Sequence, residues 1–192
     1  PGRPAHQILG DVEIFRVRYA PRRLETLAAT GSMYREAKGV KALLAIPMVI
    51  SMVVTAMRKL RGELTIAYGH WWIPGGLVAV VASRCMRRPS IVHLHGSDAF
   101  VTQTRVMQRT ARLVLRMANK RFAASESLAC WGREVSDADV QVLPMPLVLD
   151  HSVTPSLAPV DGYLLGVGRL VPEKGFDVLV DAVARLNPGE RP

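Results

Sequence analysis

Apolar residues recur along the chain in two rhythms. Residues 12–19 (VEIFRVRY) hold Val12, Ile14, Phe15, Val17 and Tyr19 in a short β-rich run. Residues 63–68, 90–95, 121–124 and 140–143 are further apolar runs of strand length. Between them, residues 40–60, 74–86, 101–119 and 126–135 read as helices. Val106, Leu113, Val114 and Met117 form the apolar stripe of the third. Pro74 with Gly75 and Gly76 marks one helix start, and Ser125 is a candidate N-cap for another. Residues 21–39 are mixed and loop-like. Strands alternating with helices predict an α/β fold with a parallel sheet and right-handed crossovers.

Prolines then break the rhythm. Pro144, Pro146, Pro155 and Pro159 make residues 144–160 a linker. Residues 162–168 (GYLLGVG) restart as a strand, and a helix is predicted over 175–186. The expected organisation is a first domain over 1–150, a Pro-rich hinge over 151–160, and the first βα unit of a second α/β domain over 161–192. The chain opens Pro1-Gly2-Arg3-Pro4 without an initiator methionine and closes at Pro192 directly after a helical pattern. A piece of a longer chain is therefore expected.

Composition narrows the class. The 192 residues are 49% hydrophobic and 21% charged, which argues against disorder. The formal net charge of +9 favours anionic partners such as phosphates or an acidic lipid surface. No Lys/Arg tract or basic aromatic repeat marks a nucleic-acid module, so no nucleic-acid partner is expected. Cys85 and Cys130 form neither a disulfide framework nor a Cys-x-x-Cys pair, which suits a reducing, cytoplasmic setting. The longest uncharged run, residues 42–57, falls short of the about 20 apolar residues a bilayer span needs. A buried helix is expected there. An interfacial helix is the alternative, because Arg58, Lys59 and Arg61 follow.

Three segments carry candidate chemistry, each where a strand gives way to a helix. In open α/β sheets that edge binds ligands. Residues 166–177 join Gly166 and Gly168 to Arg169 and Lys174. Glycines admit a close ligand, a helix N-terminus offers free N–H groups, and two cations suit a diphosphate. An ordinary basic βα loop is the alternative. Residues 93–98 hold His93, His95, Gly96 and Asp98. Strand alternation puts both histidines on one face, as a metal pair or as satisfied side chains. The remaining histidines, His6, His70 and His151, offer no fitting context for a metal, and none is expected. Asp98 could orient an imidazole, bind a hydroxyl or cap the next helix. Residues 68–76 hold His70, Trp71, Trp72, Gly75 and Gly76. The aromatics suit either stacking on a sugar or plugging a core. The glycine pair suits either an anion or tight packing.

The string GVGRLVPEKGFDVLVDAVARL (166–186) resembles the opening of the donor domain in retaining, GT-B-fold glycosyltransferases of family four, the glycosyl transferases group one. HWWIPGGL (70–77), VHLHGSD (92–98), the SES turn at 125–127 and VLPMP (142–146) are similar to segments of the same family's acceptor domain, in the same order. The resemblance runs from about residue 12 onward. It implies a GT-B-type architecture: a Rossmann-like acceptor domain followed by the start of a Rossmann-like donor domain.

By that resemblance Arg169 and Lys174 grip the nucleotide-sugar diphosphate, Gly166 and Gly168 shape the phosphate loop, and His95 contacts the donor sugar near its reacting carbon. Asp98, His70, Trp71, Gly75 and Gly76 are implied acceptor or sugar contacts. The implied activity is hexosyl transfer from a nucleotide sugar to a lipid-linked or glycan acceptor with retention, as in cell-envelope polysaccharide synthesis. It needs neither a metal nor another cofactor, and fixed cations stabilise the leaving phosphate. The implied setting is cytoplasmic, peripheral on the inner face of the membrane. The sequence departs from the family in Pro-Met-Pro at 144–146, where an Asn-Gly turn is commoner. It also lacks the upstream Gly-rich loop and the downstream E-x(7)-E motif, so the fragment alone is expected to be inactive. Alternatives are another GT-B-type enzyme, such as a sugar-nucleotide epimerase or a phosphorylase, and a non-catalytic basic domain at a membrane surface.

Overall fold

The computed structural model describes residues 4–25, 27, 39–62, 65–102, 104–146, 164–168, 170, 174–187 and 189. The chain divides into two compact units, Pro1–Pro146 and Leu147–Pro192.

The first unit opens with an antiparallel hairpin, β1 (His6–Leu9) and β2 (Val12–Phe15). Gly10 turns it, in the left-handed region at φ +56°. This corrects the expectation of a parallel strand over 12–19. The run is shorter, and its partner is the preceding segment, which sequence patterning had not marked. Lys59 ties the hairpin to the first helix, ion-paired with Glu13 and seated 3.6 Å above the Phe15 ring.

The main sheet has four parallel strands in sequential order: β3 (Ala67–His70), β4 (Ser90–Leu94), β5 (Lys120–Ala123) and β6 (Gln141–Val142). Helices α1 (Ala45–Lys59), α2 (Leu77–Met86), α3 (Asp98–Val101), α4 (Arg105–Met117) and α5 (Glu126–Ser136) accompany them. The α/β class with a parallel sheet is thus present. Two predicted helices differ in detail. The 101–119 pattern breaks after Val101 and resumes at Arg105, because the Thr104 hydroxyl accepts from the Met107 N–H and starts a new N-terminus. The second helix starts at Leu77 rather than Pro74, after a wide turn over Trp71–Gly76. Ser125 caps α5 as expected, accepting from the Leu128 N–H.

Alternation splits the sheet into two faces. Val92 and Leu94 of β4 join Val80 of α2, Ala111, Val114 and Leu115 of α4, and Leu128 and Ala129 of α5 in one core. The opposite face carries Tyr68, His93 and Phe122, with the His93 and Phe122 rings 6.2 Å apart edge to face. Four arginines that contribute to the net charge stitch this core's periphery. Arg112 and Arg116 donate to Val135 O and Ser136 O. Arg133 donates to Val140 O, and Arg121 donates to Leu115 O, Ala118 O and Asp139 O. These cations close helix and strand ends rather than wait for a ligand.

The apolar run expected to be buried is not. Lys41–Lys59 forms one helical stretch of 19 residues, long and apolar enough to cross a membrane by length and composition. Of α1 only Met48 is buried. Its inner side, through Val53, Ala56 and Met57, packs on Leu60, Ala67, Ala79 and Ala82. Leu43, Ile46, Ile50 and Val54, at helical spacing on the other side, are 40–63% exposed. The run reads as buried because it lacks charge, yet Leu43, Ile46, Ile50 and Val54 stay exposed.

In the second unit α6 (Phe176–Ala184) is shorter than the predicted 175–186 helix. Gly175 precedes it in the left-handed region at φ +63°, so the chain enters the helix through a residue without a Cβ. Residues 164–168 carry no strand assignment. The hinge residues 151–160, residues 162 and 163 of the predicted strand, and Arg169 lie outside the described residues.

Candidate functional site

Sheet register builds the site. His70, the last residue of β3, is the register partner of His93 on β4. His95 lies two residues beyond His93 and returns to the same face. Three imidazoles therefore converge at the carboxyl edge of adjacent strands. Ring centroids are 5.9 Å apart for His70–His93, 5.0 Å for His70–His95 and 4.7 Å for His93–His95. His70 Nδ1 and His95 Nε2 share a 2.8 Å hydrogen bond. Trp71, 44% exposed, sets its ring 5.1 Å from His95.

His93 is buried and fixed at both nitrogens. Its Nε2 lies 2.9 Å from Leu143 O, and a carbonyl only accepts, so Nε2 carries the proton. Nδ1 is then the acceptor for the Tyr68 hydroxyl at 2.6 Å. Burial pushes the His93 pKa below the ordinary histidine value, against the Leu143 hydrogen bond. Burial also lowers His95, with the neighbouring His93 and His70 adding to the effect. Both favour the neutral imidazole at neutral pH.

Asp98 organises the edge from inside. It is fully buried. Its Oδ1 accepts from the Trp72 N–H at 3.1 Å and its Oδ2 from the His95 N–H at 2.7 Å. The Trp72 indole N–H donates to the Asp98 carbonyl at 3.2 Å. The carboxylate thus ties the turn after β3 to the loop after β4 and aims Trp71 and His95 at each other. Burial raises its pKa to about 7, while the two N–H donors pull the other way. Both carboxylate oxygens are buried and engaged by backbone N–H groups, so Asp98 positions the two loops around it.

The two tryptophans separate. Trp72 is fully buried in the core, and Trp71 is the one left for stacking. The glycines here are tightly packed. A Cβ on Gly75 would collide with His70 O, and one on Gly69 would lie 2.6 Å from Gly75 O. The wide turn can therefore lie against β3 only without side chains there. An apolar groove of about 470 Å³ runs between α1 and β3, lined among others by Met52, Ala56, Tyr68, His70, Trp71 and Val78.

The second unit brings Gly166, Gly168 and Lys174 to the start of α6. A Cβ on Gly166 would lie 2.9 Å from the Phe176 ring, and one on Gly168 would lie 3.4 Å from it. Gly166 and Gly168 thus lie against the Phe176 ring at the helix start, and Lys174 nearby is exposed.

The sequence names His70 as an implied sugar contact but does not bring it together with His93 and His95, since the predicted strand ends at residue 68. Extending β3 through His70 is what brings it to His93. The signal was present in the motif order, a histidine two residues after Tyr68 and a His-x-His at the end of the next strand.

No protein-family model matches the chain. The chain is 25% identical over 128 residues to an uncharacterized glycosyltransferase of Methanocaldococcus jannaschii, a match covering 65% of this chain and 35% of that protein. The chain thus matches about a third of the length of that relative. The match supports a glycosyltransferase relationship for this chain.

Proposed function

We propose that the chain belongs to a retaining, GT-B-type glycosyltransferase of family four that moves a hexosyl group from a nucleotide sugar to a lipid-linked acceptor. The observation that carries the reading is His95 at the carboxyl edge of β4, held by the buried Asp98 and flanked by the exposed Trp71. A half-exposed neutral imidazole beside an aromatic face suits the hydroxyls and apolar face of a sugar. Lys174 and Arg169 supply fixed positive charge for the diphosphate, and Gly166 and Gly168 let its oxygens approach the backbone. The leaving phosphate takes the acceptor proton, so no carboxylate base is required. Metal ions are not required either.

An anionic bilayer surface is the proposed partner of α1. Its exposed Ile46, Ile50 and Val54, with Leu43 just before it, would enter the headgroup region, with exposed Arg58 and the following Arg61 against lipid phosphates. The apolar groove between α1 and β3, with His70 and Trp71 in its lining, suits the hydrocarbon of a lipid-linked acceptor.

The full-length protein carrying this chain is to be assayed for acceptor-dependent nucleoside diphosphate release with uridine-, guanosine- and adenosine-linked sugars. One donor class should turn over, and His95→Ala or Lys174→Ala should each lower the rate on the order of 10²-fold. Near-normal turnover in both variants would sink the site assignment. Vesicles of phosphatidylglycerol should retain the protein, and Ile46→Asp with Ile50→Asp should release it. Equal retention by phosphatidylcholine vesicles would contradict the anionic partner.

A further inference from the structure

The three imidazoles at the β3–β4 edge have a second capacity, independent of sugar transfer. We propose that His70, His93 and His95 form a binding site for a borderline divalent metal ion of the zinc class. One ring nitrogen from each of the three lies within 4.8 Å of the other two. Tetrahedral coordination with metal–nitrogen bonds of about 2.0–2.1 Å needs nitrogens about 3.4 Å apart. The 2.8 Å His70–His95 pair must open slightly, and the widest pair must close by somewhat more. His70 is exposed and His95 half-buried, so both rings can turn to do this.

His93 supplies the fixed point. Its Nε2–H donates to Leu143 O, the outer hydrogen bond that metal-bound histidines almost always make, and that bond leaves Nδ1 as the unprotonated nitrogen that can ligate. Tyr68 now occupies that lone pair. Its side chain reaches solvent, so it can turn aside or remain as an oxygen neighbour of the ion. The proton of the His70–His95 hydrogen bond moves to the other nitrogen of the ring that carries it. Both rings then coordinate as neutral imidazoles, and the ion keeps its full charge. All three ligands are nitrogens, which selects zinc, cobalt, nickel or copper over magnesium and calcium. An ion held there withdraws His95 from any other contact.

The test is titration of the whole chain with Co²⁺, as a coloured substitute for Zn²⁺, in a Cys85→Ser/Cys130→Ser background that removes both exposed thiols. The proposal predicts saturable binding of one ion per chain, with visible bands of low-symmetry nitrogen coordination, reversed by excess Zn²⁺. His70→Ala and His95→Ala should each weaken it by about tenfold or more while circular dichroism stays unchanged. His6→Ala and His151→Ala should leave it intact. Absence of saturable binding would overturn the proposal, as would binding that survives both His70→Ala and His95→Ala, or binding that falls equally in the His6 and His151 variants. No transferase assay enters the readout, so failure here leaves the proposed function standing, and the reverse holds too.

Discussion

Replacing Asp98 with asparagine should reshape the pH dependence of stability in a direction opposite to that of most carboxylates. The Asp98 pKa rises from the ordinary 3.8 to about 7 on folding, because burial disfavours the charged form. Between those values the folded chain holds a proton that the unfolded chain releases. The stability contributed by Asp98 is therefore complete below 3.8 and is lost as pH rises toward 7. At about 1.4 kcal/mol per pH unit the full loss is roughly 4 kcal/mol. The substituted asparagine does not titrate and keeps one of the two N–H partners. Urea unfolding of wild type and Asp98→Asn at pH 4.5, 5.5, 6.5 and 7.5 reads the difference directly. The wild-type advantage should shrink steadily with pH. A flat difference would mean that the Trp72 and His95 N–H groups offset the desolvation entirely. A growing advantage would mean that they exceed it, and the reasoning would be refuted.

Other perturbations probe the scaffold of the same edge. Trp72→Ala removes the largest fully buried side chain and should cost about 3–5 kcal/mol in urea unfolding. Gly75→Ala drives a Cβ into His70 O and should lower the thermal midpoint sharply, whereas Gly96→Ala, with nothing within 4 Å, should stay within about 0.5 kcal/mol. Arg121→Met leaves Leu115 O, Ala118 O and Asp139 O without their guanidinium donor and should cost about 1–3 kcal/mol.

Element existence was legible in the sequence wherever a run was buried on both faces or bounded by a cap. The strand over 90–95 and the Ser125-capped helix belong to this group. Three features were not legible, each for a physical reason. The β1–β2 hairpin packs mostly through backbone pairing, so its side chains show little apolar alternation, and Ile8, Leu9 and Val12 stay exposed. The exposure of α1 depends on what covers its outer face, which local hydropathy does not encode. The His70–His93 pairing is a matter of register between strands whose residues lie 23 apart in sequence. Candidate chemistry was legible as motifs at strand ends. The division of labour among them was not. Trp72 and Asp98, for which the sequence allows both a ligand contact and a structural role, turn inward in space and hydrogen-bond each other.

The proposed retention is open to a direct stereochemical test. An inverting transfer needs a general base at the acceptor hydroxyl, a role open to a histidine or a carboxylate, whereas in the proposed front-face transfer the leaving phosphate takes the proton. Proton NMR of the first product formed by the full-length protein reads the anomeric configuration before any equilibration. An α-linked donor should yield an α-linked product. A β-linked product would contradict front-face transfer at the His95 edge.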